Sequence, residues 1–305
     1  MSYTYTKANI VKIIEETANV KRFFIKFPDD VQFIFKAGQF VMVDLPIEHK
    51  YTNRAYSIAS YPNEENWFEL CIVLKPDGKG TPYMWENYQV GDEVMVSKPL
   101  GKFGLPDEID RDICFICTGT GIAPLRSMLQ DILVTGKPHK NIYMIFGTRY
   151  ELDILYKEEM KTLMENHPEF KFIPVLSREK WDGYTGYVHD IYQTLFEDKR
   201  PAYFYICGWK DMLNEARTRL SDMGYDKKFI KFKGIKYESL LYPIYESTLD
   251  NWFNELDETT YLTNNNIKDI KIKLLESYQI HTNNYLGFFG KKPELIKKLS
   301  YLIPL

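Results

Sequence analysis

The chain has 305 residues, a length that predicts two domains with room for a further segment. Hydrophobic residues make up 45% and charged residues 27% of it, which is typical of a globular protein. The formal net charge of −3 argues against a nucleic-acid partner, because such a partner selects a basic surface. No apolar stretch approaches the roughly 18 residues of a membrane span, and the first residues lack the pattern of a secretory signal. With only four cysteines, we expect a cytoplasmic protein with free thiols.

Residues 1–106 are predicted to form an antiparallel β-barrel. Short runs rich in β-branched and aromatic residues alternate with turn signals such as Pro-Asp-Gly and Gly-Asp. The runs lie at residues 10–14, 23–27, 39–43, 68–74 and 93–97. Many short strands at this spacing favour a small barrel.

Residues 107–236 are predicted to form an α/β domain. Five strand segments alternate with helical patterns, at residues 112–117, 141–146, 172–176, 202–207 and 229–232. This alternation predicts a five-stranded parallel sheet that helices cover on both faces. Such sheets bind ligands beyond the carboxyl ends of their strands, so we expect the chemistry there.

Residues 237–305 are predicted to form an α-helical C-terminal extension. Three amphipathic patterns are visible, near residues 241–253, 267–278 and 295–302. None of them contains a motif with an assignable chemistry, so the role of this extension is left open.

The strongest single motif joins the first predicted strand of the α/β domain to its first helix. It reads Thr118-Gly119-Thr120-Gly121-Ile122-Ala123-Pro124. Glycines allow the backbone to approach a phosphate, and a helix N-terminus presents free N–H groups with positive potential. Pro124 suits the first helical turn. We favour a pyrophosphate cradle, with a plain strand-to-helix turn as the alternative because the spacing differs from the usual dinucleotide fingerprint.

Three further segments are weaker as isolated signals. Arg54 followed by Tyr56 and Ser57 can hold a diphosphate and stack on a flat ring, but this segment alone favours an ordinary edge strand. Gly80-Thr81 at a helix start can bind phosphate, but this pair alone favours a hairpin turn. Ser177-Arg178 can bind a phosphate, but this pair alone favours a solvated loop.

No metal site is predicted. The five histidines are scattered without ligand spacing. Cys114 and Cys117 form a C-x-x-C sequence within a predicted strand, so their side chains point to opposite faces. This geometry disfavours both zinc binding and dithiol redox chemistry.

Taken together and in order, these segments resemble the ferredoxin–NADP⁺ reductase family, in which a flavin-binding barrel precedes a nicotinamide-binding α/β domain. The resemblance covers residues 1–233. The matching segments are Arg54-Ala55-Tyr56-Ser57, residues 78–81, Gly101-Lys102-Phe103-Gly104, residues 118–124, Gly147-Thr148-Arg149 with Asp153, and Cys207-Gly208 with Met212.

For the flavin, the resemblance implies that Arg54 and the Gly80-Thr81 turn bind the FAD pyrophosphate. It also implies that Tyr56 stacks on the isoalloxazine ring and that Ser57 lies near its N5 atom. Tyr56, Ser57 and Cys207 are therefore the expected catalytic residues.

For the nucleotide, the resemblance implies that Gly119, Thr120 and Gly121 cradle the pyrophosphate of NADP(H). Thr118 and Cys207 are expected to flank the nicotinamide. Ser177 and Arg178 resemble a pair that binds the 2′-phosphate, and Tyr187 resembles an aromatic residue at the adenosine end. The Ser-Arg pair favours NADP(H) over NAD(H).

The implied activity is electron transfer between NADPH and ferredoxin or flavodoxin through hydride transfer to FAD. The alternatives are a reductase component of a multicomponent oxygenase and a non-catalytic regulatory flavoprotein. One residue departs from the family pattern, because Lys233 stands where a glutamate is expected beside the flavin. Two outcomes stay open: Tyr237 or an aromatic residue of the extension covers the flavin instead, or the nicotinamide site is more open.

Overall fold

The computed structural model describes residues 4–47, 50–63 and 65–234, which form two six-stranded sheets. The predicted helical extension lies outside the described residues, and so does Tyr237. Within the described ranges, no helix is long and apolar enough to cross a membrane. The predicted domain boundaries at residues 106 and 236 stay predictions.

The first sheet is antiparallel and has the strand order β4-β3-β6-β1-β2-β5. Its elements are β1 (Tyr5–Thr17), β2 (Val20–Lys26), β3 (Phe40–Ile47), β4 (Lys50–Ser57), β5 (Trp67–Val73), α1 (Gly80–Asn87) and β6 (Glu93–Ser97). An isolated bridge between Ile58 and Leu70 joins the chain after β4 to β5. This bridge brings the two edges of the sheet together, and the predicted barrel is confirmed.

Strand β4 is not one of the five strands predicted from apolar runs, although the edge strand favoured for Arg54–Ser57 falls within it. Its sequence KYTNRAYS has no apolar alternation that would indicate a half-buried strand. It is a strand because it pairs residue by residue with β3, from Phe40–Ser57 to Ile47–Lys50. Strand β3 provides the apolar alternation, since Val41, Val43 and Leu45 are fully buried.

The second sheet is parallel, with the order β10-β9-β8-β7-β11-β12. Its elements are β7 (Asp112–Thr118), α2 (Ile122–Thr135), β8 (Ile142–Thr148), α3 (Lys157–Asn166), β9 (Phe170–Leu176), β10 (Tyr184–Thr185), α4 (Val188–Leu195), β11 (Ala202–Gly208), α5 (Lys210–Asp222) and β12 (Ile230–Gly234). All five predicted strands are present. The sixth, β10, has two exposed residues, too short a run to produce a sequence pattern.

Helices cover both faces of this sheet, as predicted. One apolar cluster contains Cys117 with Leu125 and Leu129 of α2, and the other contains Cys114 with Tyr192 of α4 and Ala216 of α5. The two cysteines therefore lie on opposite faces of β7, as their spacing predicts. All four cysteines are free and buried.

A buried ionic network joins the barrel to the α/β part. Glu69 of β5 accepts hydrogen bonds from Arg22 of β2 at 2.6 Å and from Arg126 of α2 at 3.1 Å. The hydroxyl of Tyr156 donates to the same carboxylate at 2.8 Å. We use the name junction network for Glu16, Arg22, Glu69, Arg126, Tyr156 and Glu159. Its members come from both sides of the junction, since Glu16, Arg22 and Glu69 lie in the barrel and Arg126, Tyr156 and Glu159 in the α/β part.

Candidate active site

A cavity of about 620 Å³ lies where the barrel meets the α/β part. This volume is in the range of small-molecule binding sites. Both sheets contribute to its walls. Six predicted site residues line it: Arg54, Tyr56, Ser57, Thr81, Thr120 and Cys207. The structure thus brings together residues that are up to about 150 positions apart in the sequence.

Strand β4 supplies one wall. Arg54 pairs with Val43 and Tyr56 with Val41 of β3, so the two side chains share a face of the sheet. Both line the cavity together with Ser57. Burial raises the pKa of the Tyr56 hydroxyl, so the ring is a neutral, flat surface at physiological pH. The predicted juxtaposition of a cation, an aromatic ring and a hydroxyl is present.

The start of α1 supplies a second wall. Thr81 lines the cavity, and its hydroxyl accepts a hydrogen bond of 2.8 Å from the backbone N–H of Lys75. This bond closes the turn between β5 and α1. Gly80 is the first residue of the helix and is buried. The arrangement fits a helix N-terminus beside a phosphate, although the role itself stays a prediction.

On the α/β side, the glycine turn contributes Thr120 to the cavity wall. Gly119–Gly121 is a short 3₁₀ turn, and Gly119 has a left-handed φ of 51°, which glycine adopts without strain. A Cβ atom at Gly121 would lie 2.8 Å from the carbonyl carbon of Cys207 and closer still to its oxygen. Only glycine permits this approach between the turn and β11. Pro124 is buried in the first turn of α2, as expected.

Thr118 and Cys207 lie side by side at the carboxyl ends of β7 and β11. The Thr118 hydroxyl is buried and has no hydrogen-bond partner within the described part of the chain. A buried hydroxyl without a partner is suited to a polar ligand group. Burial raises the pKa of Cys207 to about 12, although nearby Lys233 lowers it, so the cysteine is a neutral thiol. Neither group is a strong nucleophile, and both suit a role in positioning.

Gly80, Thr118, Gly119, Gly121 and Pro124 adjoin the residues that line the cavity without lining it themselves, and three further predicted residues lie at the carboxyl edge of the parallel sheet. Ser177 follows β9, and its hydroxyl donates to the Thr148 carbonyl at 3.2 Å. Arg178 is exposed, and no described residue is recorded as an ion-pair partner of its guanidinium. Tyr187 directly precedes α4 and is 69% exposed. A nucleotide that extends from the cavity along this edge would reach them.

Sequence patterns missed several residues of the cavity wall, among them Phe40, Met42 and Ile72. They are apolar residues within ordinary strand patterns, so no local signal separates them from core residues. Lys233 is also part of the wall. The sequence identified it as a departure from the family pattern but gave it no place in the site.

Comparison with known protein families agrees with this architecture. Residues 7–104 match the oxidoreductase FAD-binding domain model, and residues 115–218 match the oxidoreductase NAD-binding domain model. These two ranges correspond to the barrel and to most of the parallel sheet with its helices. The cavity lies where the two matched segments meet.

Individual relatives are similar over the same region. The phenol hydroxylase P5 protein of Acinetobacter pittii is 30% identical over 70% of this chain and 61% of its own length. Ferredoxin–NADP reductase B of Sorangium cellulosum is 29% identical over 73% of this chain and 95% of its own. The chain therefore spans less than two thirds of the first relative and nearly all of the second.

A solved ferredoxin–NADP⁺ reductase from Neisseria gonorrhoeae, with bound FAD and NADP, superposes with a TM-score of 0.66 at 23% identity. The match covers 76% of this chain and 99% of that one. The two domain models, the shared fold and the junction cavity agree with one another. The chain belongs to the ferredoxin–NADP⁺ reductase family of FAD- and NAD(P)-binding oxidoreductases.

Proposed function

We propose that this flavoprotein oxidoreductase takes electrons from NADPH and delivers them to ferredoxin or flavodoxin. The observation that carries the proposal is the junction cavity. Tyr56 and Ser57 of the FAD-binding part line the same space as Thr120 and Cys207 of the nucleotide-binding part. A cavity shared by the two parts is what direct transfer between two bound cofactors requires, because the reacting atoms must come within contact distance.

On the barrel side, Arg54 and the Gly80-Thr81 turn would hold the FAD pyrophosphate. A guanidinium binds phosphate oxygens through paired hydrogen bonds, and the start of α1 adds backbone donors. Tyr56 would present its ring face to the isoalloxazine, and the Ser57 hydroxyl would lie beside N5. FAD supplies the ability to accept a hydride and to release electrons one at a time.

On the α/β side, Gly119, Thr120 and Gly121 would cradle the pyrophosphate of the nicotinamide nucleotide. The unsatisfied Thr118 hydroxyl supports a role in binding the nicotinamide, because a carboxamide would give it the partner it lacks. Cys207, a buried neutral thiol, would pack beside the ring and help to exclude water. Ser177 and Arg178 would bind the 2′-phosphate, and Tyr187 would pack against the adenosine.

A second candidate is a reductase component for an oxygenase. The observation that favours it is the similarity to the phenol hydroxylase P5 protein and to the glycine betaine monooxygenase reductase subunit of Chromohalobacter salexigens, which is 29% identical over 71% of this chain. The chemistry at FAD is the same in both candidates. They differ only in the acceptor, which is therefore the property to measure.

The first experiment is an anaerobic titration of the purified protein followed by its absorbance spectrum. We expect bound oxidised flavin that bleaches faster with NADPH than with NADH. Bound flavin that neither nucleotide reduces would refute the enzyme proposal and favour a regulatory flavoprotein. A chain that binds no FAD, even when FAD is added, would refute the assigned cofactor roles.

The second experiment identifies the acceptor. The NADPH-reduced protein is mixed in a stopped-flow instrument with ferredoxin, with flavodoxin, or with the iron–sulfur component of an oxygenase. Rapid oxidation by ferredoxin or flavodoxin would support the first candidate. Rapid oxidation by the oxygenase component alone would replace it with the second.

A further inference from the structure

Lys233 brings a positive charge to the wall of the cavity. It lies in β12 opposite Cys207 of β11, and both residues line the cavity. Its Nζ donates a 3.0 Å hydrogen bond to the carbonyl oxygen of Gly38 in the barrel. Among the described residues, no aspartate or glutamate forms an ion pair with it. The ammonium has three donors, and this bond uses one of them.

The surroundings of Lys233 hold its ammonium in place. The Nζ atom lies 5.2 Å from the ring centre of Phe40 and 5.7 Å from that of Phe103. Gly38 has a φ of 89°, and a Cβ atom there would overlap the carbonyl oxygen of Phe103. The accepting carbonyl therefore belongs to a tightly packed backbone turn, and Lys233 is anchored rather than free to swing into solvent.

Burial at this position makes the charged form of Lys233 energetically unfavourable. Burial lowers the pKa of Lys233 to about 8, and nearby Cys207 partly offsets this decrease. The ammonium form still predominates at neutral pH. A partly buried cation without a carboxylate partner gains stability when a negative charge arises nearby.

We propose that Lys233 stabilises the negative charge that the flavin ring acquires on reduction, and thereby raises the reduction potential of FAD bound in this cavity. The inference rests on the proposed function. A hydride carries its electron pair from C4 of NADPH to N5 of the flavin, leaving NADP⁺. The neutral oxidised ring becomes an anion in this step, and no proton is consumed. A fixed cation in the same cavity favours the anionic product over the neutral reactant.

Two other roles for Lys233 make different predictions. If the ammonium held the FAD pyrophosphate, it would strengthen the binding of oxidised and reduced FAD equally, and the potential would not depend on it. If its bond to Gly38 only fastened β12 to the barrel, its loss would lower stability without changing the potential. The reduction potential therefore separates the proposal from both.

The test compares Lys233→Met, Lys233→Arg and Lys231→Met with the wild type. Methionine keeps an unbranched stem without charge, and arginine keeps the charge. Lys231 is the matched control, because it lies two residues away on the same strand, is exposed and does not line the cavity. The two-electron potential of bound FAD is measured by spectroelectrochemical titration, and the Kd of oxidised FAD by fluorescence.

We expect Lys233→Met to bind reduced FAD about tenfold less favourably relative to oxidised FAD, a decrease of about 30 mV for a two-electron couple. Lys233→Arg and Lys231→Met should stay near the wild-type potential. An unchanged potential in Lys233→Met would overturn the proposal, as would an equal decrease in Lys231→Met. If the methionine variant retains no FAD, Lys233→Gln takes its place, and a wild-type potential in that variant would be equally decisive. A wild-type protein that binds no FAD would instead refute the proposed function.

Discussion

Arg178 and Lys233 are two cations in opposite environments, and each suits a different task. Arg178 is exposed at the carboxyl edge of the parallel sheet, whereas Lys233 is held within the cavity wall. An exposed guanidinium remains charged at little energetic cost and is accessible to a phosphate group from solvent. We therefore predict that the side chain of Arg178 determines nucleotide choice and that it can be removed without disturbing the core.

Replacing Arg178 with alanine should weaken NADPH use selectively. A charge-assisted hydrogen bond contributes about 1.5–3 kcal/mol, so we expect the KM for NADPH to rise at least tenfold. The KM for NADH should hardly change, because NADH has no 2′-phosphate. Steady-state reduction of ferricyanide with each nucleotide measures both constants.

The control for this prediction is Lys180→Ala, which removes an exposed charge of the same sign from the same loop. It should leave both constants near their wild-type values. If Arg178→Ala raised the two KM values equally, Arg178 would have no role in recognising the 2′-phosphate.

At the scale of elements, tertiary packing explains a residue of the local sequence motif in the turn between β7 and α2. The sequence shows that this turn contains glycines, but it does not show why position 121 requires glycine. Gly121 is required because the backbone of Cys207, on a strand 86 positions later in the chain, passes directly against it. The turn thus fixes the distance between the predicted phosphate cradle and β11.

Gly121→Ala should therefore impair nucleotide binding more than flavin binding. The added methyl group must displace either the turn or β11, and overpacking of this kind costs about 1–3 kcal/mol of stability. We expect a lower Tm and a weaker affinity for NADP⁺, measured by calorimetry, while FAD content is retained.

Gly104→Ala is the matched control, because a Cβ atom there would have an ordinary contact of 3.5 Å with the Ala37 carbonyl. It should cost little. If Gly121→Ala bound NADP⁺ as the wild type does, the close approach would have no functional consequence.

The sequence predicted those elements whose signal is local. The buried strand β7 is a continuous apolar run, and the glycine turn follows it directly. The apolar pattern did not predict strand β4, and only its end at Arg54–Ser57 was interpreted as an edge strand, because its polar sequence forms a strand through pairing with β3. Part of the cavity wall was not predicted either, because its residues also come together only through long-range contacts. The contact of Lys233 with Gly38 joins residues 195 positions apart, and no local pattern reports such a contact.

At the largest scale, the junction network connects the barrel to the α/β part through buried charges. The ring of Tyr156 lies between two guanidiniums, 4.6 Å from that of Arg22 and 4.2 Å from that of Arg126. Glu69 is 1% exposed and bonds to both arginines. Breaking a buried ion pair by removing one partner is strongly destabilising, because the remaining charges keep their burial cost.

Glu69→Gln should lower the free energy of unfolding by about 3 kcal/mol, since both guanidiniums lose a charged acceptor. The matched control is Glu93→Gln, which breaks the surface pair of Lys7 and Glu93 with side chains 65% and 60% exposed. That change should cost less than about 1 kcal/mol. Urea denaturation at pH 7 measures both values, and similar costs for the two variants would contradict a special role for the junction.

The pH dependence of the free energy of unfolding tests the same prediction independently. Burial alone would raise the pKa of Glu69, but Arg126, Arg22 and the Tyr156 hydroxyl together hold that pKa below its ordinary value of 4.5. A carboxylate whose pKa is lower in the folded state stabilises the fold fully above the unfolded value, and this contribution disappears as the pH falls through the folded value. The stability difference between wild type and Glu69→Gln should therefore be constant near neutrality and shrink below about pH 4.5. A difference that stayed the same down to acid unfolding would show that the cost arises from packing rather than from the charge that joins the two parts.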